Sequence, residues 1–293
     1  ERALFLRLSV FAGGWTLEGA QAVAEGEGIA AEEVPALLGR LLRVSMVLAQ
    51  EEQGALRFRM LEPIRQFAFN ELEALGQSAA VKQQLLAWYV QRCQTIAAQL
   101  VGPQQAQGYW FLTSEVDNIR ALLSWSKQAD LENGLRLAAD LWRFWQAKGH
   151  AKEMLGWLEA SIALDGDVPK PVLADATNTA GLMARTCGQY PQSVRWHSAS
   201  LQLQCELGNR RGEAVARNNL CLVARDQYDH LRVEELGQAN LAVARDIGDR
   251  NLEALALMHL GTALRGQDRM VEAEATFQQS WTIFNELGDL TAS

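Results

Sequence analysis

Three arginines, Arg185, Arg225 and Arg265, recur at one even spacing along the chain. Asn178 and Asn218 precede the first two by two helical turns, and so share their side of a helix. A guanidinium offers a planar fork of donors that matches a carboxylate, and a primary amide both donates and accepts. The set therefore suits a carboxylate-bearing effector or an acidic, extended peptide. Met258 and Thr262 interrupt the polar pattern in the last repeat, so the site is expected to centre on Arg185 and Arg225. The competing reading pairs these arginines with their acidic neighbours Asp226, Glu234 and Glu272, leaving only a solvated surface.

A second set is aromatic. Five of the nine tryptophans, Trp110, Trp125, Trp142, Trp145 and Trp157, crowd into one stretch of the chain. A helix over 131–147 would put Ala138, Leu141, Trp142 and Trp145 on one face, widened by Leu137 and Phe144. A helix apolar over so much of its circumference is usually buried. Trp142, Trp145 and Trp157 read either as core or as the wall of a pocket for an apolar or aromatic effector.

Catalytic patterns are absent from the sequence. There is no G-x-x-x-x-G-K-[ST] phosphate loop and no G-x-S-x-G nucleophile elbow. Gly26-Glu27-Gly28 lacks the third glycine of a dinucleotide fingerprint and reads as an acidic loop. His150, His197, His230 and His259 fall on different helices, without a Cys or His at metal-ligand spacing, and read as capping or packing residues. No enzymatic activity, metal or cofactor is expected within this chain.

The elements that carry the arginines are set by an internal repeat. Glu206-Leu207-Gly208-Asn209, Asp246-Ile247-Gly248-Asp249 and Glu286-Leu287-Gly288-Asp289 recur with the same period as the arginines. Gly181, Cys221 and Gly261 keep the same register, as do Ala174, Ala214 and Ala254. Each unit is predicted to be two antiparallel helices. The small residue permits close approach, the Gly ends the second helix in a left-handed conformation, and the Asp or Asn caps the next helix. One hairpin cannot bury its apolar face alone, so units must stack. A divergent unit lies upstream, with Gly149-His150 in the place of Gly188-Gln189 and Leu164-Asp165-Gly166-Asp167 as its terminator.

This pattern resembles tetratricopeptide (TPR) repeats. Ala180-Gly181, Leu220-Cys221 and Leu260-Gly261 match that family's Leu-Gly pair. Ala273 and Phe277 match its later Ala and aromatic positions, where Ser193, Val233, His197 and Gly237 depart. The period of 40 exceeds the ordinary ~34 and implies longer helices. In the register of that family the three arginines end the first helix of each unit and face its concave groove.

Residues 1–76 read differently. Leu4–Phe11 is an apolar helix closed by Gly13-Gly14, Thr16 caps a second helix, and Val34, Leu37, Leu38, Leu41 and Leu42 mark a third. Leu56, Phe58 and Met60 alternate with Arg57 and Arg59, strand periodicity that pairs with 46–49 as a β-hairpin around Glu51-Glu52-Gln53-Gly54. Pro63 then opens a helix ended by Gly76. Three helices, a hairpin and a helix make a winged-helix arrangement.

Four segments in order carry a further resemblance: Leu8–Glu18, Met60–Ala68, Glu115-x-Asp117-Asn118-Ile119-Arg120-Ala121-Leu122, and Leu141-Trp142-x-Phe144-Trp145 through Gly149-His150. Together they resemble bacterial STAND regulators, signalling ATPases that include LuxR-type and AfsR-like transcription factors with TPR sensors. The resemblance implies an NTPase module ahead of the winged helix, an output domain at one end, and repeats that sense an inducer or partner. ATP or ADP is expected only in that missing neighbouring module. Plant relatives carry Met-His-Asp where Met60-Leu61-Glu62 stands here, so the nucleotide-facing His is absent.

Composition agrees with such a role. The chain has 293 residues, 48% of them apolar, and a net charge of −8. Residues 1–80 hold seven basic and eleven acidic side chains. Phosphate neutralisation dominates nucleic-acid affinity, so this balance argues against DNA binding. No apolar run reaches the roughly 18 to 20 residues of a membrane span. Cys93, Cys187, Cys205 and Cys221 are scattered, as in a reduced cytoplasmic protein. The chain opens at Glu1 and closes just after a repeat boundary, and so reads as a fragment of something longer. The expected fold is mainly α: a winged helix (1–76), a helical linker (77–129) and a TPR-like superhelix (130–293, with units near 130–167, 171–209, 211–249 and 251–289). The expected function is sensing by a regulatory fragment, and the alternative is a TPR protein-interaction scaffold.

Overall fold

In the computed structural model of the chain, residues 1–24, 28–52, 54–164 and 166–288 are described. Residues 25–27, 53, 165 and 289–293 lie outside them, and with them parts of the predicted acidic loop, the hairpin turn and two of the repeat terminators.

The chain divides into two compact units, Glu1–Phe144 and Trp145–Ser293. In the first, α1 (Arg2–Leu8), α2 (Leu17–Ala24) and α3 (Val34–Arg43) precede a hairpin of β1 (Leu48–Glu52) and β2 (Ala55–Arg59), followed by α4 (Glu62–Ala74). The hairpin is antiparallel, pairing Leu48 with Arg59 and Glu52 with Ala55. Thr16 caps α2 as predicted, its Oγ1 accepting from Gly19 N at 3.2 Å. Pro63 lies in the first turn of α4, and Gly76 beyond its end has φ +69°.

Two long helices complete the unit, α5 (Ser78–Gln99) and α6 (Gln105–Ala129), with α7 (Leu131–Asp140) packed on both. Residues 77–129, expected as a linker, are thus integral to the first unit. The cause is a buried polar clasp. Arg57 on β2 donates to Glu115 on α6, which also accepts from Tyr89 on α5 and, at 2.7 Å, from Asn118. Asn118 holds the chain before α2, accepting from Gly13 N and donating to Gly14 O, both at 2.8 Å. Burial and the adjacent Glu115 carboxylate push the Tyr89 hydroxyl well above its ordinary pKa.

The predicted helix over 131–147 is two helices. α7 ends at Asp140, and α8 (Trp142–Ala147) begins after Leu141, whose φ of −93° and ψ of 16° leave the helical region. The expected unit at 130–167 is accordingly divided: α7 belongs to the first compact unit, whereas α9 (Ala151–Ile162) packs on α10 (Lys170–Thr186) in the second.

The second unit continues with α11 (Tyr190–Glu206), α12 (Arg210–Asp226), α13 (His230–Asp246), α14 (Arg250–Gly266) and α15 (Met270–Leu287). Each helix packs on its sequence neighbours, and the first helices of successive hairpins, α10, α12 and α14, also touch one another. The punctuation follows the sequence. Gly208, Gly248 and Gly288 take φ of +63°, +69° and +72°. Asn209 and Asp249 cap α12 and α14, each accepting from the backbone N–H of the third residue on at 3.1 Å.

The departures at His197 and Gly237 have a steric account. A Cβ built on Gly181 would lie 2.6 Å from the His197 ring, and one on Gly261 would lie 2.7 Å from Phe277. A large residue on the second helix therefore fills the notch left by the glycine on the first. In the middle hairpin the corresponding positions hold Cys221 and Gly237, and a Cβ built on Gly237 would meet the Leu260 side chain of the next repeat at 3.0 Å.

Candidate functional site

The arginine ladder lies at the ends of α10, α12 and α14. Arg185 at the end of α10 pairs with Asp226 at the end of α12, Nε to Oδ2 at 2.7 Å. Arg225 reaches the other oxygen of Asp226 at 3.5 Å. One carboxylate therefore bridges two rungs. Arg265 stands over the Phe277 ring, 5.7 Å from its centroid. Glu234 and Glu272, the other expected partners, are taken by Arg269 at 2.9 and 2.6 Å.

Arg225 and Arg265 line one open cavity of about 380 Å³, together with Asp226, Tyr228, His230, Thr262 and Gly266. The structure thus brings the second and third arginines to one cavity, while Asp226 engages the first closely and the second at longer range. Thr262, expected to interrupt the site, contributes to its wall.

The asparagines serve a different purpose. Asn178 Oδ1 accepts from Asn219 Nδ2 at 2.8 Å and from His197 Nδ1 at 3.0 Å. Asn218 Oδ1 accepts from His259 Nε2 at 3.0 Å. Because an amide oxygen can only accept, each histidine carries its proton on the nitrogen facing it. The bonds from Asn178 to Asn219 and from Asn218 to His259 step from one first helix to the next and join consecutive repeats. Burial, reinforced by Arg185, lowers the His197 pKa to about 3; burial, reinforced by Arg225 and Arg185, lowers that of His259 to about 4. Both rings are neutral at physiological pH. His197 and His259 are buried packing residues, as read from the sequence, while the asparagines belong more to the repeat interface than to a free surface.

Tyr228 was not singled out from the sequence. Its φ is +60°, in the left-handed region that bulky side chains avoid, and its side chain is 81% exposed at the cavity edge. Its register mates are Gly188, with φ +72°, and Asp268, with φ +60°. A tyrosine where the repeat uses Gly or Asp was a legible signal, since strained backbone persists where something outweighs its cost.

The tryptophan cluster divides. Trp145 is fully buried and edge-on to His150, 6.3 Å between centroids, which makes it core. Trp142 is half-buried with Arg143 over its ring, and Trp157 is half-buried on α9. Among the described residues no group of three or more His, Cys, Asp or Glu side chains could hold a metal, and no helix is long and apolar enough to cross a membrane.

No protein-family model matches the chain. Over 166 residues it is 32% identical to a protein of Mycobacterium tuberculosis described as a "putative HTH-type transcriptional regulator", a match covering 55% of this chain and 18% of that protein. The chain spans less than a fifth of the length of such relatives. Among solved structures, BtubC from P. vanneervenii is similar at a TM-score of 0.55 and 13% identity, over 76% of this chain and 86% of its own. The TPR-like repeats of a putative kinesin light chain from Podosopora anserina give 0.54 and 13%, over 68% and 96%. These likenesses establish a helical fold with TPR-like repeats.

Proposed function

We propose that this chain is the regulatory portion of a STAND-type signalling ATPase or transcriptional regulator, and that it binds an acidic, extended peptide or carboxylate effector through its TPR-like repeats. The observation that carries the binding reading is the shared cavity of Arg225 and Arg265, edged by a strained, exposed Tyr228. Tyrosine and arginine dominate the energetics of binding surfaces. The regulatory reading is supported by the four motifs in order and by the similarity to a protein described as a transcriptional regulator. The helix–hairpin–helix order of residues 1–76 is read as the winged helix, and residues 77–129 as its helical extension. The chain itself has no catalytic role in this reading: ligand binding in the repeats changes how the winged helix engages an NTPase module elsewhere in the parent protein, where ATP or ADP binds.

DNA reading by the first unit is disfavoured. Arg2, Arg40, Arg57 and Arg65 pair with Glu71, Glu1, Glu115 and Glu62, and Arg7 is buried against the Val23 carbonyl. Five of the seven cations in residues 1–80 are thus engaged within the fold, which weakens the case for phosphate contacts there.

The test is fluorescence anisotropy of labelled acidic and neutral peptides of equal length. Acidic peptides should bind more tightly, and Arg225→Ala or Arg265→Ala should each weaken binding by about tenfold, the loss of one charge-assisted contact. Equal affinity for acidic and neutral peptides would sink the groove reading and favour a scaffold whose partner docks elsewhere.

A further inference from the structure

A cavity of about 500 Å³ lies within the first unit, walled by α2, β2, α5 and α6. Its volume falls in the range of about 300–1,000 Å³ typical of small-molecule pockets. Leu17, Leu56, Trp110 and Phe111 form the apolar part of its wall, beside Glu18 and three glutamines, and Arg92 is the one cation among the described residues that line it. Arg92 lies over the Phe111 ring, 5.5 Å from the centroid, a cation–π contact that favours this position of its guanidinium. Its Nε is buried and has no hydrogen-bond partner among the described residues. The Arg92 ion pair with Glu18 spans 3.3 Å, and the Glu18 side chain is 62% exposed. Exposed pairs of this kind contribute little and give way readily.

The chemistry of this cavity is that of a receptor for a molecule with one anionic head and an apolar body. A ligand carboxylate would take the place of Glu18 on the terminal guanidinium nitrogens of Arg92, whose side chain is 42% exposed. The aromatic and aliphatic walls would take a short acyl or aryl group, and Leu56, 55% exposed, lies at the wall as an apolar side chain that such a ligand would cover. Gly108 lets α6 approach α5 closely here, since a Cβ would meet Leu100 at 3.0 Å. We propose that the first unit carries a binding site for a small amphipathic carboxylate, its head on Arg92 and its apolar body against Leu17, Leu56, Trp110 and Phe111. The site is separate from the arginines of the repeats and does not depend on them.

Octanoate and octanol, titrated calorimetrically into the whole chain, test this directly. Octanoate should bind saturably and octanol at least about tenfold more weakly, because only the carboxylate answers the guanidinium. Arg92→Gln should weaken octanoate by a similar factor, and Glu18→Gln should tighten it by removing the internal competitor. No saturable binding at millimolar octanoate, equal affinity for acid and alcohol, or an affinity unchanged in both variants would each overturn the proposal. Should Arg92→Gln fail to fold, Glu18→Gln still decides: tighter binding supports the site, and unchanged binding refutes it.

Discussion

Glu115 on α6 receives the guanidinium of Arg57 from β2, and its side chain is only 1% exposed. Its second oxygen accepts from Tyr89 and Asn118, while Arg57 also donates to the Gly14 and Ser114 carbonyls at 3.0 Å each. Desolvating two charges is costly, and here that cost is offset because nearly every donor and acceptor is used. The clasp joins hairpin, helical extension and the glycine turn before α2 into one folded unit.

Arg57→Ala should therefore destabilise the first unit by about 3–5 kcal/mol, since it strands a buried carboxylate. Replacing both partners, as Arg57→Met with Glu115→Leu, should recover much of the loss. Urea denaturation of the wild type and the two variants measures this. A cost below about 1 kcal/mol for the single variant would mean that Glu115 finds water or another partner on folding.

Acid should loosen the repeats before it reaches the carboxylate range. His197 and His259 have folded pKa values of about 3 and about 4, against an ordinary 6.5. Above pH 6.5 both rings are neutral in either state and the fold keeps its full stability. Below it the unfolded chain takes up the protons first, so stability falls progressively toward pH 4 for His259 and pH 3 for His197. At pH 5 the loss should be about 2 kcal/mol for each ring. His259→Asn, which copies Asn219 one repeat earlier, should remove its share of the pH dependence and keep the bond to Asn218. Chemical denaturation at pH 7 and pH 5 would settle it, an unaltered slope in the variant counting against this account.

Glycine notches should resist filling. Gly261→Ala should cost about 1–3 kcal/mol, because the new methyl meets the Phe277 ring. The clash at Gly181 suggests its own remedy: Gly181→Cys combined with His197→Gly, the residues that the middle hairpin carries in register, removes the ring the new side chain would strike and should be more stable than Gly181→Cys alone. Thermal melts of the three variants would show whether the two positions compensate.

Tyr228 should separate stability from binding. Asparagine tolerates the left-handed conformation, so Tyr228→Asn should leave the fold unchanged or raise its stability by up to about 1 kcal/mol. The same variant should weaken peptide binding by about tenfold if the exposed ring is a binding anchor. A variant that is destabilised but binds normally would assign Tyr228 a packing role instead.

Sequence alone determined the repeat, its register, its helix ends and its capping residues, because those depend on local chemistry: glycine at a positive φ, an Asx cap, an apolar stripe at helical spacing. It determined the order of elements in residues 1–76 for the same reason. What Arg185, Arg225 and Arg265 do was decided by tertiary structure. Their spacing placed them on one surface, but only packing showed that Asp226 engages both Arg185 and Arg225 and that Arg225 and Arg265 share a cavity. The same holds for Asn178 and Asn218, whose periodicity looked like a binding surface until Asn219 and His259 of the following repeats consumed their oxygens. The clasp of Arg57 and Glu115, the cavity at Arg92 and the break at Leu141 were equally illegible. Each rests on contacts between distant segments, or on how helices seat against one another, and no periodic pattern in one segment records the chemistry of its neighbour.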